Sequence, residues 1–207
     1  MTIADVSDPP SLDLAEHPFR RRLLDGLAES IAERGYRETT IADIVRSART
    51  SKRTFYQEFS TKEECFFELL ATANEEMIAQ IRAAVDPEAF WQDQIRQAID
   101  AYVDSIESRP AVTLSWIREL PALGAQVRSA QRRGIAQLTE MLVELSGNPG
   151  FRRAKIPPAS PQVAVILLGG LRELTALTVE DGKDIRKIVD TAVAATIALV
   201  TAGVQPS

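Results

Sequence analysis

Between residues 49 and 62 the chain carries four bases, Arg49, Lys52, Arg53 and Lys62, against one acid, Glu58, with the hydroxyls of Ser51, Thr54 and Tyr56 among them. Such a set suits an anion. Ser51, Lys52, Arg53 and Thr54 fall in the first turn of a short helix expected over about 51–57, where free backbone N–H groups and the helix dipole already favour phosphate. Lys and Arg add charge, and Arg can also hold a guanine edge through two parallel hydrogen bonds. The Tyr56 hydroxyl can reach a phosphate. Phe55 and Phe59, four apart, share one helix face and are expected to turn inward. Lys62, in the first turn of the following helix, is placed to grip the neighbouring phosphate backbone.

These residues need a frame. Residues 39–59 read as a helix of about two turns, a three-residue turn and a second short helix, the layout of a helix-turn-helix whose second helix presents its N-terminal residues to the major groove of double-stranded DNA. A preceding helix is expected from about Pro18 to Arg34, with Gly35 as its left-handed stop. Thr40 is the expected cap of the next, with Asp43 as capping-box partner, and that helix ends near Ala48. Thr61 with Glu64 three residues on forms a second capping box. Beyond residue 84, helices are expected over about 87–107, 110–119, 122–146, 161–180 and 184–202, with Asp86-Pro87 and Ser160-Pro161 as start signals. Gly147-Asn148-Pro149-Gly150 and Pro157-Pro158 bracket one long loop, expected to be mobile. Apolar residues recur at three and four, and no alternation is long enough for a strand, so the expected fold is all-α.

Composition narrows the chemistry further. The 207 residues include one Cys, Cys65, and one His, His17. One of each builds neither a disulfide nor a Cys/His metal cluster nor a Ser/His or Cys/His nucleophile, so no cofactor, metal or enzyme activity is expected. Cys65 is expected to be a buried thiol and His17 a solvated or capping residue. The longest apolar runs, residues 163–171 and 192–200, fall short of the roughly 20 residues of a membrane span. Residues 1–16 hold no Lys or Arg, so no secretory signal is expected there, and the expected location is cytoplasmic. Net charge −5 argues at first against nucleic acid. It is a sum over unlike segments, however: residues 1–16 contribute −4, residues 17–65 contribute +2 and residues 66–207 contribute −3. Seven of the twelve aromatic residues lie between Phe19 and Phe67. The expected organisation is an acidic tail (1–16), a helix-turn-helix domain (17–65) and a helical regulatory and dimerisation domain (66–207).

Several ordered signatures, Arg22-Leu23-Leu24-Asp25, Glu33-Arg34-Gly35-Tyr36, Thr39-Thr40-Ile41-Ala42-Asp43-Ile44 and the run from Ser51 to Glu64, resemble the N-terminal domain of the TetR family of bacterial transcriptional regulators. The resemblance covers about residues 18–68. It implies a homodimer, usually a repressor, whose C-terminal domain often binds a small molecule that weakens DNA binding. Residue by residue it implies that Thr40 is a phosphate-contacting cap, that Ser51, Lys52, Arg53 and Thr54 face the groove, and that Tyr56 and Lys62 contact the backbone. Three positions depart from the family pattern. The turn usually Ala-Gly-Val is Ala48-Arg49-Thr50, and a left-handed Arg49 costs about 1 kcal/mol relative to Gly; its side chain is either solvated or a phosphate contact. Glu58 stands where His is common and is expected to repel DNA. Ile31 replaces a Phe in the first helix. Arg20-Arg21-Arg22 either approach the DNA backbone or form an ordinary charged face.

The last two helices lack aromatic residues. Ile185, Ile188, Val189, Ala192, Val193, Thr196, Ile197 and Val200 form a broad apolar stripe, and Gly169-Gly170 permits close approach of another backbone. These faces either complete the monomer core or pack as a four-helix bundle about a two-fold axis. Trp91, Tyr102 and Trp116, with Phe90, Phe151 and the polar Arg118 and Glu119, either line a pocket for a small-molecule effector or pack as core. The expected function is therefore a repressor that binds a near-palindromic operator as a homodimer and is released by a small molecule. The alternative is a DNA-binding regulator without such an effector, controlled by a partner protein or by abundance.

Overall fold

A computed structural model describes residues 18–119 and 125–202, with the backbone alone for 125–128; the acidic tail and His17 lie outside the described residues. Among the described residues the chain is all helical: α1 (Pro18–Glu38), α2 (Ile41–Ser47), α3 (Lys52–Glu58), α4 (Lys62–Ala84), α5 (Trp91–Ser108), α6 (Pro110–Arg118), α7 (Ala125–Leu145), α8 (Pro149–Arg153), α9 (Pro161–Glu180), a 3-10 turn (Ile185–Ile188) and α10 (Val189–Thr201).

Local sequence accounts for most of these ends. Gly35, at φ 78°, breaks α1, and only one further short turn follows it. Thr40 caps α2 with the full capping box, its hydroxyl accepting from the Asp43 amide while the Asp43 carboxylate accepts from the Thr40 amide. Ser51 caps α3 through the Thr54 amide at 3.1 Å. Thr61 caps α4 in the same manner, but the return arm differs from the expected box: Glu64 Oε2 accepts from the Ser60 amide at 2.7 Å, one residue further back. Ser160 caps α9 ahead of Pro161, as its sequence predicts.

Two expectations fail for a common reason. The helix expected from residue 87 begins at Trp91 instead, because the carbonyls of Pro87 and Ala89 are taken by the buried side-chain amide of Gln94, at 3.0 Å each, and Pro87 also accepts from the Gly150 amide. Asp86 caps a local turn through the Glu88 amide. The loop expected to be mobile contains α8, whose Phe151 is buried against Trp91 with ring centroids 6.0 Å apart. A β-carbon on Gly150 would fall 2.2 Å from the Ala89 carbonyl oxygen, so glycine is what lets α8 close on residues 87–94. The helix expected over 184–202 is likewise divided into the 3-10 turn and α10.

The N-terminal helices enclose one core, in which Leu23, Leu27, Ile31, Ile44, Phe55 and Phe59 meet Cys65 and Phe66 of α4. Tyr36 stacks on Phe66 at 3.9 Å between centroids. Cys65 is fully buried, and burial drives its thiol pKa well above the ordinary value, so it stays protonated. The far half of α4 belongs to a different cluster, where Ile78 and Ile81 pack with Ala101 of α5 and Met141 of α7. Thus α4 is shared by the two halves of the molecule. In the first half, α1 crosses α2 at Gly26, where a β-carbon would sit 2.7 Å from the Ile44 carbonyl oxygen and 2.8 Å from the Ala48 amide nitrogen. Backbone cannot retreat as a flexible side chain can. Gly26→Ala is therefore expected to destabilise the fold by about 1–3 kcal/mol, read from denaturant unfolding followed by circular dichroism; unchanged stability would mean that α1 and α2 are not held this closely.

Candidate nucleic-acid interface and regulatory cavity

The turn between α2 and α3 determines where α3 points. Its Arg49 is left-handed at φ 49°. The Arg49 amide donates to the Arg46 carbonyl and the Thr50 amide to the Val45 carbonyl, the paired bonds of a Schellman stop. Arg22 of α1 completes it, donating from Nη2 to the carbonyls of Ala48 at 2.6 Å and Arg49 at 2.8 Å. The sequence had left Arg20, Arg21 and Arg22 open between DNA contact and charged face. Arg20 is engaged by Glu68 and the Glu58 carbonyl and lies over the Phe59 ring, while Arg21 faces Glu76 at 3.8 Å. Their partners lie up to 55 residues away in the chain, so no local spacing announces them.

On the frame so built, Lys52 and Arg53 are exposed in the first turn of α3, and neither they nor Arg49 has a side-chain partner among the described residues. Tyr56 is exposed one turn on, edge-on to the buried Phe55 ring. The hydroxyls of Ser51 and Thr54 lie 3.0 Å apart. Thr40, at the start of α2, donates its hydroxyl to Asp43 at 2.6 Å. Asp43 also accepts from Arg46 and Arg34, and the Thr40 hydroxyl above all holds its pKa down at about 2. Lys62 is more committed than its sequence position suggests: Nζ donates to the carbonyls of Tyr36 at 3.1 Å and Thr39 at 2.8 Å and sits over the Tyr36 ring. One of its three N–H donors remains for another partner. Glu58 was expected to repel DNA, but its carboxylate turns toward Arg20 Nη1 at 3.6 Å and is largely sheltered.

A second feature lies between α4, α5, α6, α7 and α9, where a mainly apolar cavity of about 260 Å³ opens. Of the seven residues expected at a pocket, Tyr102 and Trp116 line it. Trp116 packs closely on α7, where a β-carbon on Gly134 would meet the indole at 2.6 Å. The Tyr102 hydroxyl shares a hydrogen bond of 2.8 Å with Thr175, and burial pushes its pKa up to about 12. The other five do not line it. Trp91 packs beside Phe151 in a separate cluster, and Arg118 is held outside by Glu173 and Glu180 at 2.7–2.9 Å. Reading Arg118 as a pocket residue treated its neighbour in sequence, Trp116, as its neighbour in space; on a helix, positions two apart face different ways. The cavity instead takes Arg109 and Arg172. Arg172 had a signal, as the one base in α9, a helix otherwise mostly apolar.

A three-helix unit with a two-helix reading head, exposed bases at the start of its second helix and a separate helical body define a helix-turn-helix DNA-binding protein. Residues 23–69 match the family of bacterial regulatory proteins designated tetR. Over 153 residues, 72% of this chain and 78% of the relative, the chain is 22% identical to the HTH-type transcriptional regulator YhgD of Bacillus subtilis. Over 109 residues it is 32% identical to the HTH-type transcriptional repressor KstR2 of Mycobacterium tuberculosis, covering 53% of this chain and about half, 54%, of KstR2. The fold is that of FadR from Bacillus subtilis, whose crystal structure was determined with stearoyl-CoA: TM-score 0.73, 17% identity, 87% of this chain and 97% of that one. Residues 23–69 therefore carry the DNA-binding domain of the TetR family of bacterial regulatory proteins.

Replacing Arg49 with glycine removes the left-handed penalty and is expected to raise stability by about 1 kcal/mol in denaturant unfolding. A loss of stability would show that the Arg49 side chain stabilises the turn.

Proposed function

We propose that this protein is a cytoplasmic transcriptional repressor that binds a near-palindromic operator as a homodimer and is released by a small-molecule effector. The observation that carries the reading is the sharing of parts between cavity and reading head: Leu70, Val112 and Trp116 wall the cavity and also pack in or against the core that holds α3. A ligand in the cavity presses on the same side chains that set the aim of α1 and α3. It shifts the balance between two arrangements only by its differential affinity for them. The complex of FadR with stearoyl-CoA supports a small-molecule effector for a chain of this fold. The name of KstR2 supports repression. The DNA contacts assigned to the head are Ser51, Lys52, Arg53 and Thr54 in the groove, with Thr40, Arg49, Tyr56 and Lys62 on phosphates.

The dimer is assigned to α9 and α10. Ile166 and Leu177 are 61% and 50% exposed on α9, and a β-carbon on Gly169 or Gly170 would meet nothing within 4 Å. On α10, Ala194, Ala195 and Ala198 are exposed. By length and composition α9 is apolar enough to cross a membrane, yet only 33% of its most apolar stretch is buried within this chain. A second copy against this face, packed as a four-helix bundle, covers it. Two-fold symmetry then sets the α3 helices roughly 34 Å apart, one turn of DNA.

Two measurements test the reading. Fluorescence anisotropy on sequences selected from a genomic library is expected to give an affinity that falls with salt at a log–log slope of roughly −5 to −9, for about 6 to 10 neutralised phosphates. Lys52→Ala with Arg53→Ala should abolish binding with helicity intact; a complex insensitive to salt or to those substitutions sinks it. In sedimentation, Ile166→Glu should convert dimer to monomer and weaken operator binding. A dimer that survives this charge at full strength places the interface elsewhere.

A further inference from the structure

The arginines around the larger cavity differ in one respect. Arg109 has Glu76 at 3.3 Å, and Arg118 has Glu173 and Glu180. Arg172 lines the cavity with no carboxylate in ion-pair range among the described residues; its Nη2 donates to the Ile117 carbonyl at 2.7 Å. It is half-buried, and burial first, then the Arg118 charge, lowers its pKa. A cation so placed costs free energy until an anion meets it. Its neighbour Glu173 is engaged outward by Arg118, and Glu76, the acid on the opposite wall, by Arg21 and Arg109. Among the described residues none supplies the counter-charge within ion-pair range.

The space beyond the guanidinium limits what can bring it. The cavity of about 260 Å³ equals about nine water-sized groups at about 30 Å³ each. Tyr102, Leu138, Leu168 and Leu171 separate it from a second apolar cavity of about 70 Å³ that reaches Phe151 and Val200. Tyr102 is held in that partition by its bond to Thr175.

We propose that the effector is an apolar monocarboxylate of about eight to ten non-hydrogen atoms, its carboxylate on Arg172 and its hydrocarbon body in the larger cavity, and that Tyr102 sets the upper limit of its length. This rests on the effector reading above and narrows it to a chemical class. A free acid is favoured over a thioester because the unpaired cation lies in the apolar wall itself, where a buried anion is neutralised.

Calorimetry on the DNA-free protein tests the site by itself. Octanoate is expected to bind about ten- to a hundredfold more tightly than octanamide, the range for a hydrogen bond to a charged group. Arg172→Gln should erase the preference and Arg172→Lys should keep part of it. Equal affinities for acid and amide in the unsubstituted protein overturn the proposal, whatever the variants do, and so does octanoyl-CoA binding more tightly than octanoate. In Tyr102→Ala, dodecanoate should gain at least about tenfold on octanoate; an unchanged ratio overturns the length limit. Release of DNA is read separately. Octanoate that binds through Arg172 yet leaves DNA bound upholds the site and overturns the effector reading. DNA release by a neutral compound, with no carboxylate bound, overturns the site and leaves the effector reading standing.

Discussion

Seven residues cannot hold a helix in water by themselves, because nucleation costs more than two turns of hydrogen bonds return. The reading helix α3 has that length, and Phe55 is its single buried residue. Its order therefore comes from burial of the Phe55 and Phe59 rings, 5.8 Å apart, in the core made by α1, α2 and α4. Everything that gives Lys52 and Arg53 a fixed direction passes through that core. The surrounding ties act on the same joint: Arg20 fastens α1 to the end of α3 and to α4, Arg22 holds the turn carbonyls, and Lys62 holds the carbonyls at the end of α1. Each brings a cation to the exposed carbonyl end of a helix or turn, where the dipole favours it.

This dependence gives the distant cavity a means of acting on α3. Close-packed cores transmit strain because they have little free volume in which to absorb it. Leu70 and Val112 are members of the reading-head core, and both face the cavity. The rim adds a polar link, since Glu76 of α4 lies within ion-pair distance of both Arg21 of α1 and Arg109 before α6. Those surface pairs contribute little individually. Packing through α4 and α6 is the stronger coupling.

What the sequence made legible follows from range. Thr40, Ser51, Thr61, Ser160, Gly35 and even the unusual Arg49 act on backbone a few residues away, and their types reveal the ends they make. Asp86-Pro87 carries the same local signal as Ser160-Pro161, but there Gln94 and α8 compete for the carbonyls and win. The family resemblance assigned the expected DNA contacts to α3 and its neighbouring turns, while it could not show that Lys62 spends two donors inside the protein or that Glu58 turns to Arg20. In the helical body the expected pocket mixed residues that share a cavity, Tyr102 and Trp116, with five that do not line it, because composition says which residues are large and apolar but not which helix faces which.

Charge shows the same distinction most sharply. The surplus of the head is small when bases are merely counted, and the total for the chain is negative. Pairing changes its meaning. Arg20, Arg34 and Arg46 have carboxylate partners within the head, and Arg22 and Lys62 are occupied by carbonyls. Arg37 near the end of α1 is exposed as well, and Arg49, Lys52 and Arg53 remain exposed at the turn and the start of α3, beside the free N–H groups of that helix. Three unpaired cations are thus gathered at the start of the reading helix of a molecule that is acidic in total. Because non-specific affinity grows with the number of phosphates neutralised, such a head holds random duplex weakly, and the proposed dimer would depend on the fit of two heads for tight binding. Under the proposed function, a ligand that disturbs that fit need not alter a single charge to release the DNA.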